Sequence, residues 1–282
     1  MISKSSKKSL KEYGRGIVGG LLFSLPLLYT MEVWWTGFTA PASYLLVFVL
    51  VTYLLLLGYN TYAGMRKDAT FKDVCWDSVE EIGLALIVSF LFLLLIGQIG
   101  YTMSVNEIVG KVIVESMIVA IGISVGTAQL GQDDENNSGM QGDQQEQEEK
   151  NRPSFLKLLI LSICGAVLFS SSVAPTEEIL IIAIESGTIH LITMVLLSLL
   201  LTAIILYFTD FKGSKLKRPA FKEMLFQITL CYLAALFVSF SFLYFFGRVT
   251  GHTLFIVLAQ MIVLGIPAAI GASLGRLLIK GS

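Results

Sequence analysis

Charge is scarce in this chain. Asp, Glu, Lys and Arg make up only 15% of its 282 residues, while 55% are hydrophobic and mean hydropathy is +0.75. Soluble domains carry about a quarter charged residues, so a water-filled surroundings for the whole surface is excluded. Cysteine is also sparse. The three are Cys75, Cys164 and Cys231, an odd count without metal-ligand spacing, which excludes a disulfide framework or zinc site and leaves small core hydrophobes. His190 and His252 are the only histidines, and no Ser/His/Asp or Cys/His constellation forms around them. A phosphate-binding glycine loop is missing too, so ATP hydrolysis is not expected and no cofactor is implied. A net charge of −1 offers nothing to a nucleic-acid backbone.

What remains is a set of apolar runs long enough to cross a bilayer, for which about 20 residues are needed. Eight spans are expected, at about 16–36, 43–63, 78–99, 108–130, 155–184, 188–209, 222–247 and 253–279. The basic start (Lys4, Lys7, Lys8, Lys11, Arg15) before an apolar run mimics a signal peptide. The run from Gly16 to about Phe38 has an internal counterpart, however, and so belongs to the fold. With both termini inside, 18 of the 20 Lys and Arg fall on the cytoplasmic side, and only Lys111 and Arg248 lie outside. That asymmetry is the one the positive-inside rule demands. Trp34, Trp35 and Phe38 then supply an outer aromatic belt. Pro26, Pro175 and Pro267 are expected to kink spans one, five and eight, and Ser170, Ser171 and Ser172 can rebond carbonyls freed at Pro175.

The halves match each other. Leu22-Phe23-Ser24 and Thr30-x-Glu32 fall on Leu168-Phe169-Ser170 and Thr176-x-Glu178, 146 positions later. Asn60 to Gly64 falls on Thr209 to Gly213, Val88-Ser89-Phe90 on Val238-Ser239-Phe240, and Glu115 to Gly126 on Gln260 to Gly271. Four spans repeating in order point to duplication. Four is even, so the repeats run parallel about an axis along the membrane normal. The expected architecture is therefore all-α. Residues 1–15 form a basic cytoplasmic N-terminus and 16–130 a first four-helix repeat. Residues 131–152 form a disordered acidic linker, and 153–282 a second repeat. Asp134-x-Asn136-x-Ser138-Gly139 in the linker copies the front of a calcium loop, but Gln145 stands where the bidentate acid belongs.

A carboxylate within a membrane-length apolar stretch is costly and marks a functional site by default. Glu32 and Glu178 are the leading candidates, at one depth near the outer face. Thr30, Thr176, Glu177, Glu115 and Gln260 could join them as hard oxygen ligands for a cation of unspecified identity, or for a proton. The competing expectation is that each acid bonds a neighbouring helix or reaches headgroup water. Asp77, Glu80 and Glu81 form a second acidic set, explained either by the helix macrodipole or as an inner vestibule. Gly19, Gly20, Gly122, Gly126, Gly265, Gly271 and Gly275 read as helix-packing positions.

Leu25-Pro26-Leu27-Leu28-Tyr29-Thr30-Met31-Glu32 with Trp34-Trp35, and Val173-Ala174-Pro175-Thr176-Glu177-Glu178, resemble a family of bacterial integral membrane proteins catalogued as of unknown function. The resemblance covers both halves and implies topology but no activity. Ala174 to Glu178 is also similar to the paired-glutamate segment of CAAX-type intramembrane proteases. That family has an arginine after three further residues, where this chain has Ile182. Of its membrane histidines, one stands four residues after a phenylalanine, where this chain has Ser186 before His190 and Arg248 before His252. General-base and oxyanion roles thus lack occupants. The expected function is a cation channel or cation-coupled transporter in the plasma (inner) membrane, not an enzyme. A protease-like enzyme or a scaffold or assembly protein is the alternative. The expected partners are lipid and an inorganic cation or proton; homo-oligomerisation stays open.

Overall fold

A computed structural model describes residues 4–63, 70–100, 102–129, 155–211 and 221–275. The linker and its calcium-like loop lie outside the described residues. Among those described, every regular element is a helix. It divides into two compact units, one within residues 1–157 and one within 158–280.

The first unit holds α1 (Lys4–Leu28), α2 (Met31–Thr39), α3 (Ala42–Ala63), α4 (Phe71–Leu95) and α5 (Val105–Gln129). Helix α5 is its axis, with the other four packed around it. From Gly110 to Ala128 every residue of α5 except Ile113 is buried, as expected of a helix that is apolar on all sides. The reciprocal bonds Ser104 N–H to Glu107 Oε2, 2.9 Å, and Glu107 N–H to Ser104 Oγ, 3.3 Å, cap its start. They satisfy donors that a helix N-terminus otherwise leaves bare.

The second unit holds α6 (Phe155–Ser170), α7 (Glu178–Glu185), α8 (Thr188–Phe211), α9 (Phe221–Phe245) and α10 (Leu254–Gly275). Here α10 gathers α7, α8 and α9 around it, and α6 lies against it through Gly165.

Six helices (α3, α4, α5, α8, α9 and α10) are long and apolar enough to cross a membrane. They coincide with six of the eight expected spans. The other two are interrupted. Between α1 and α2 the chain turns by 88°, and α6 is a short apolar helix separated from α7. Pro26 is not itself the breakpoint, because α1 runs through it to Leu28; likewise α10 runs through Pro267. Each proline removes one backbone donor, and each helix nonetheless continues past it. Pro175 does lie in non-helical chain. Large side chains such as Leu46, Leu50 and Leu54 on α3 and Ile189, Leu196 and Leu200 on α8 are exposed. In water they would be an aggregation liability; in a bilayer they are the surface presented to lipid.

The tightest helix contacts are backbone to backbone. In the first unit Gly19 lies on Gly122 and Gly126, and Gly37 on Gly110 and Lys111. In the second, Gly165 lies on Gly271 and Gly275. A methyl at any of Gly19, Gly126, Gly165 or Gly271 would fall well inside contact distance of backbone atoms. Such crossings give helices dispersion contact that lipid cannot replace. Gly265, also expected at a packing position, has only side-chain neighbours, the nearest at 3.4 Å.

Gly97 (φ 74°) ends α4 and Gly247 (φ 71°) ends α9. Each cap has the same pair of bonds: Gly97 N–H to Leu94 O and Gly247 N–H to Tyr244 O, both 3.1 Å, and Gln98 N–H to Leu93 O and Arg248 N–H to Leu243 O, both 2.8 Å. This is the Schellman arrangement, and its left-handed position favours glycine.

Gly19→Ala and Gly165→Ala should each destabilise their unit by about 1–3 kcal/mol, because backbone cannot move aside as a side chain can. Gly83→Ala, with nothing within 4 Å of the added methyl, should be neutral or slightly stabilising. Thermal unfolding in detergent reads all three.

Candidate functional site

Breaking a helix inside an apolar layer frees backbone carbonyls, and each must find a donor. At the first break the chain supplies three. Thr30 Oγ1 donates to Pro26 O (2.7 Å), Thr30 N–H to Leu27 O (2.8 Å), and the Trp34 indole N–H to Leu28 O (3.2 Å). Trp34 is therefore turned back against the break and is half-buried, rather than standing with the exposed Trp35 and Phe38 in an aromatic belt. At the second break, residues 171–177, Ser170 Oγ bonds Ala166 O (2.6 Å), Ser171 Oγ bonds Leu168 O (3.2 Å), and Thr176 Oγ1 bonds Val173 O (2.9 Å). The Arg248 guanidinium donates to Pro175 O and stands 4.0 Å from Glu177 Oε1.

Glu32 and Glu178 each fall in the first turn of the helix that follows a break. The positive end of the macrodipole favours an acid there. Glu32 is half-buried, whereas Glu177 and Glu178 are exposed on the second unit. Thr30 and Thr176 spend their hydroxyl protons on the break, which leaves their oxygens as acceptors only.

Two members of the expected set are deeply buried, and the acid among them is Glu115, 0% exposed, neither of whose carboxylate oxygens has a hydrogen-bond partner among the described residues. Helix register explains its surroundings. Lys111 lies against Gly37 of α2, and Val119 against Gly20 of α1. Glu115 is one turn from each and on the same face, so it faces the chain between them, where α1 gives way to α2. The Trp34 side chain is beside it. In the second unit Gln260 is 1% exposed. It stands eleven residues before Gly271, as Glu115 stands eleven before Gly126. Its Nε2 reaches Arg248 O at 3.4 Å, while its Oε1 has no partner among the described residues. Each helix break is thus backed by one buried side chain with an oxygen that has no partner among the described residues, an acid in the first unit and an amide in the second.

Lys111 and Arg248, the two cations outside the inward-biased set, are both built into these regions. Lys111 is 6% exposed, and its Nζ donates to Gln98 O at 3.1 Å. Sequence reasoning gave neither residue a role. Their signal was present in the charge pattern, which made them the exceptions.

A second polar group joins α3, α4 and α5. Ser124 Oγ donates to Asn60 Oδ1 (2.6 Å), and Asn60 Nδ2 donates to Glu81 Oε2 (2.8 Å) and Ser78 Oγ (3.2 Å). Tyr13 Oη donates to Glu80. Helix α4 begins at Phe71, so Glu80 and Glu81 lie more than two turns past its start, beyond reach of the macrodipole, and act instead as acceptors for neighbouring helices. Asn60 in an otherwise apolar run was the available clue. Ser124 is nine residues from Glu115, about half a turn of azimuth, so this clasp and the buried acid occupy opposite faces of α5. In the second unit Cys231 Sγ lies 3.5 Å from Ser162 Oγ. Among the described residues no group of three or more His, Cys, Asp or Glu is placed to hold a metal ion.

Residues 12–279 match the family model described as "Putative integral membrane protein (DUF2391)". The chain belongs to this family. It is a multi-pass integral membrane protein whose match spans both units. No curated protein and no solved structure matches it, so the roles of its residues rest on their own chemistry.

Replacing Asn60 with Leu would leave Glu81 and Ser124 without these partners inside the helix bundle. A loss of about 1–3 kcal/mol is expected for the buried groups left unsatisfied, read as a lower melting temperature in detergent. Asn60→Gln should recover little of it, since the longer stem misplaces the amide.

Proposed function

We propose that the protein moves an inorganic cation or proton across its membrane, by channel or coupled transport, with Glu115 as the group that holds the ion. The observation that carries this reading is Glu115 itself, fully buried, unpartnered, and facing a helix break. An ionised carboxylate buried there, with the Trp34 side chain as its polar neighbour, costs several kcal/mol. A bound cation or proton removes that cost. Interrupted helices supply the other half of the chemistry, since ends of half-helices and unwound carbonyls are what membrane proteins use to coordinate ions.

The same reading makes the units parallel copies with both termini inside, in the plasma (inner) membrane. Matching caps at Gly97 and Gly247, matching crossings at Gly19–Gly126 and Gly165–Gly271, and interruptions at corresponding places support it. Glu32 and Glu178 are then equivalent outer acids that gather cations before they reach the buried position. Gln260 occupies the Glu115 position of the second copy without its charge.

In proteoliposomes with gradients of Na⁺, K⁺, Ca²⁺ or H⁺, wild type should pass at least one ion, and Glu115→Gln should lower that flux at least tenfold. Glu32→Gln and Glu178→Gln should lower it severalfold, more at low ionic strength than at high, because surface charges are screened. Current that grows steadily with voltage identifies a channel, and saturable exchange a transporter. Absence of flux for every ion, or full flux in Glu115→Gln, contradicts the proposal.

A further inference from the structure

The groups around Glu115 suit a proton better than a metal ion. Its polar neighbour, the Trp34 indole, is a donor only; it can serve a carboxyl oxygen but offers a metal no ligand. One turn further along α5, Val119 packs on Gly20 of α1, and the buried side chains flanking the break, Leu27, Leu28 and Val33, are apolar. The polar groups of that stretch are already engaged. Ser24 Oγ donates to Gly20 O at 2.7 Å. Pro26 O, Leu27 O and Leu28 O accept from Thr30 Oγ1, Thr30 N–H and the Trp34 indole. Hard metal cations take about six oxygens or more, and K⁺ is held by rings of carbonyls. A metal here would share each of these carbonyls with a bond that the break itself needs. A proton on Glu115 asks for one acceptor, and a carbonyl that takes one hydrogen bond keeps a second lone pair.

The second unit holds a neutral side chain in the matching place. Gln260 precedes Gly271, which packs on Gly165, by the same interval as Glu115 precedes Gly126, which packs on Gly19. Glutamine has the size and shape of a protonated glutamate and carries no charge. It is 1% exposed, and its Nε2 donates to Arg248 O. Charged groups on the elements around α5 lie apart from Glu115. Helix α3 carries none, and those of α1 precede Gly16, which packs on Thr127, about three turns beyond Glu115. On α4 the last is Glu81, tied through Asn60 to Ser124 on the opposite face of α5. Helix α2 carries Glu32 in its first turn. Helix α5 carries Glu107 two turns earlier and Lys111, whose ammonium is bonded to Gln98 O in the loop before α5.

We propose that the ion held at Glu115 is a proton rather than a metal cation, so that the protein carries H⁺, an inference that rests on Glu115 being the ion-holding group. Loading transfers one proton from water to a carboxylate oxygen, and unloading returns it to water. A metal bound to the carboxylate would leave two charges buried as a pair, each still short of ligands, whereas a proton leaves none.

The test compares full-length wild type with Glu115→Gln and Glu115→Met, two uncharged side chains of similar length, so that one failing to fold leaves the other. In proteoliposomes a pH gradient should drive H⁺ flux that falls at least tenfold in both variants. Gradients of Na⁺, K⁺ or Ca²⁺ at matched pH and ionic strength should drive no flux that depends on Glu115. Infrared spectra at neutral pH should show a protonated carboxyl band in wild type that both variants lack and that Na⁺, K⁺ and Ca²⁺ leave in place. Melting temperature in detergent should be the same in all three salts, because a bound ion would raise it by mass action. A metal-ion flux that falls in both variants, or a carboxyl band displaced by one of the metal ions, would overturn the proton inference and leave Glu115 as the ion-holding group. H⁺ flux equal in wild type and both variants, with no metal-ion flux that depends on Glu115, would overturn the underlying assignment of the ion site, a separately readable outcome.

Discussion

Backbone polar groups must be satisfied inside an apolar layer, and the rest of this structure follows from how the chain meets that demand at two broken helices. An unbroken span satisfies itself through its own ladder. A broken one needs donors brought from side chains and loops. Thr30 and Trp34 serve the first break, and Ser170, Ser171, Thr176 and Arg248 serve the second. Those commitments fix where the short helices α2 and α7 begin. They also place one acid in the first turn of each and leave a buried side chain on the axial helix facing the gap.

The two units solve the problem with different charges. In the first, the buried residue is Glu115 and the nearby cation is Lys111, on the same helix. In the second, the buried residue is Gln260 and the cation is Arg248, on the loop after α9. Arg248 is tied to the break through Pro175 O, while Lys111 is tied to a loop through Gln98 O. A guanidinium offers several donors in a fixed fork, whereas an ammonium is a compact charge on a long stem. The second unit is therefore clasped at its break, while in the first the buried acid beside the break has no hydrogen-bond partner among the described residues, which is why the functional reading centres on Glu115.

Much of the architecture was legible in the sequence. Six expected spans are uninterrupted helices, because long apolar runs bounded by charge have few other options in a bilayer. The interruptions were signalled by Pro26 and Pro175, but their positions were not. Where a helix stops depends on which carbonyls can be rebonded, and that is decided by Thr30 in the break itself and Trp34 from the next helix. Glu32 and Glu178 drew attention as acids in apolar runs, yet half-buried and exposed positions at helix starts give them a local reason to exist. Glu115 was recognised only as a companion. Its burial depends on Gly37 and Gly20 letting α2 and α1 close on either side, a tertiary fact that spacing along α5 does not contain. Asn60 shows the same limit, since its partners come from two other helices.

The central claim is that Glu115 takes up a cation or proton. Infrared difference spectra of the purified protein, recorded as Na⁺ or K⁺ is added or pH is changed, read this most directly. The account predicts a carboxylate band that responds to the ion in wild type and disappears in Glu115→Gln. Difference spectra that are the same in wild type and Glu115→Gln for every addition would contradict it.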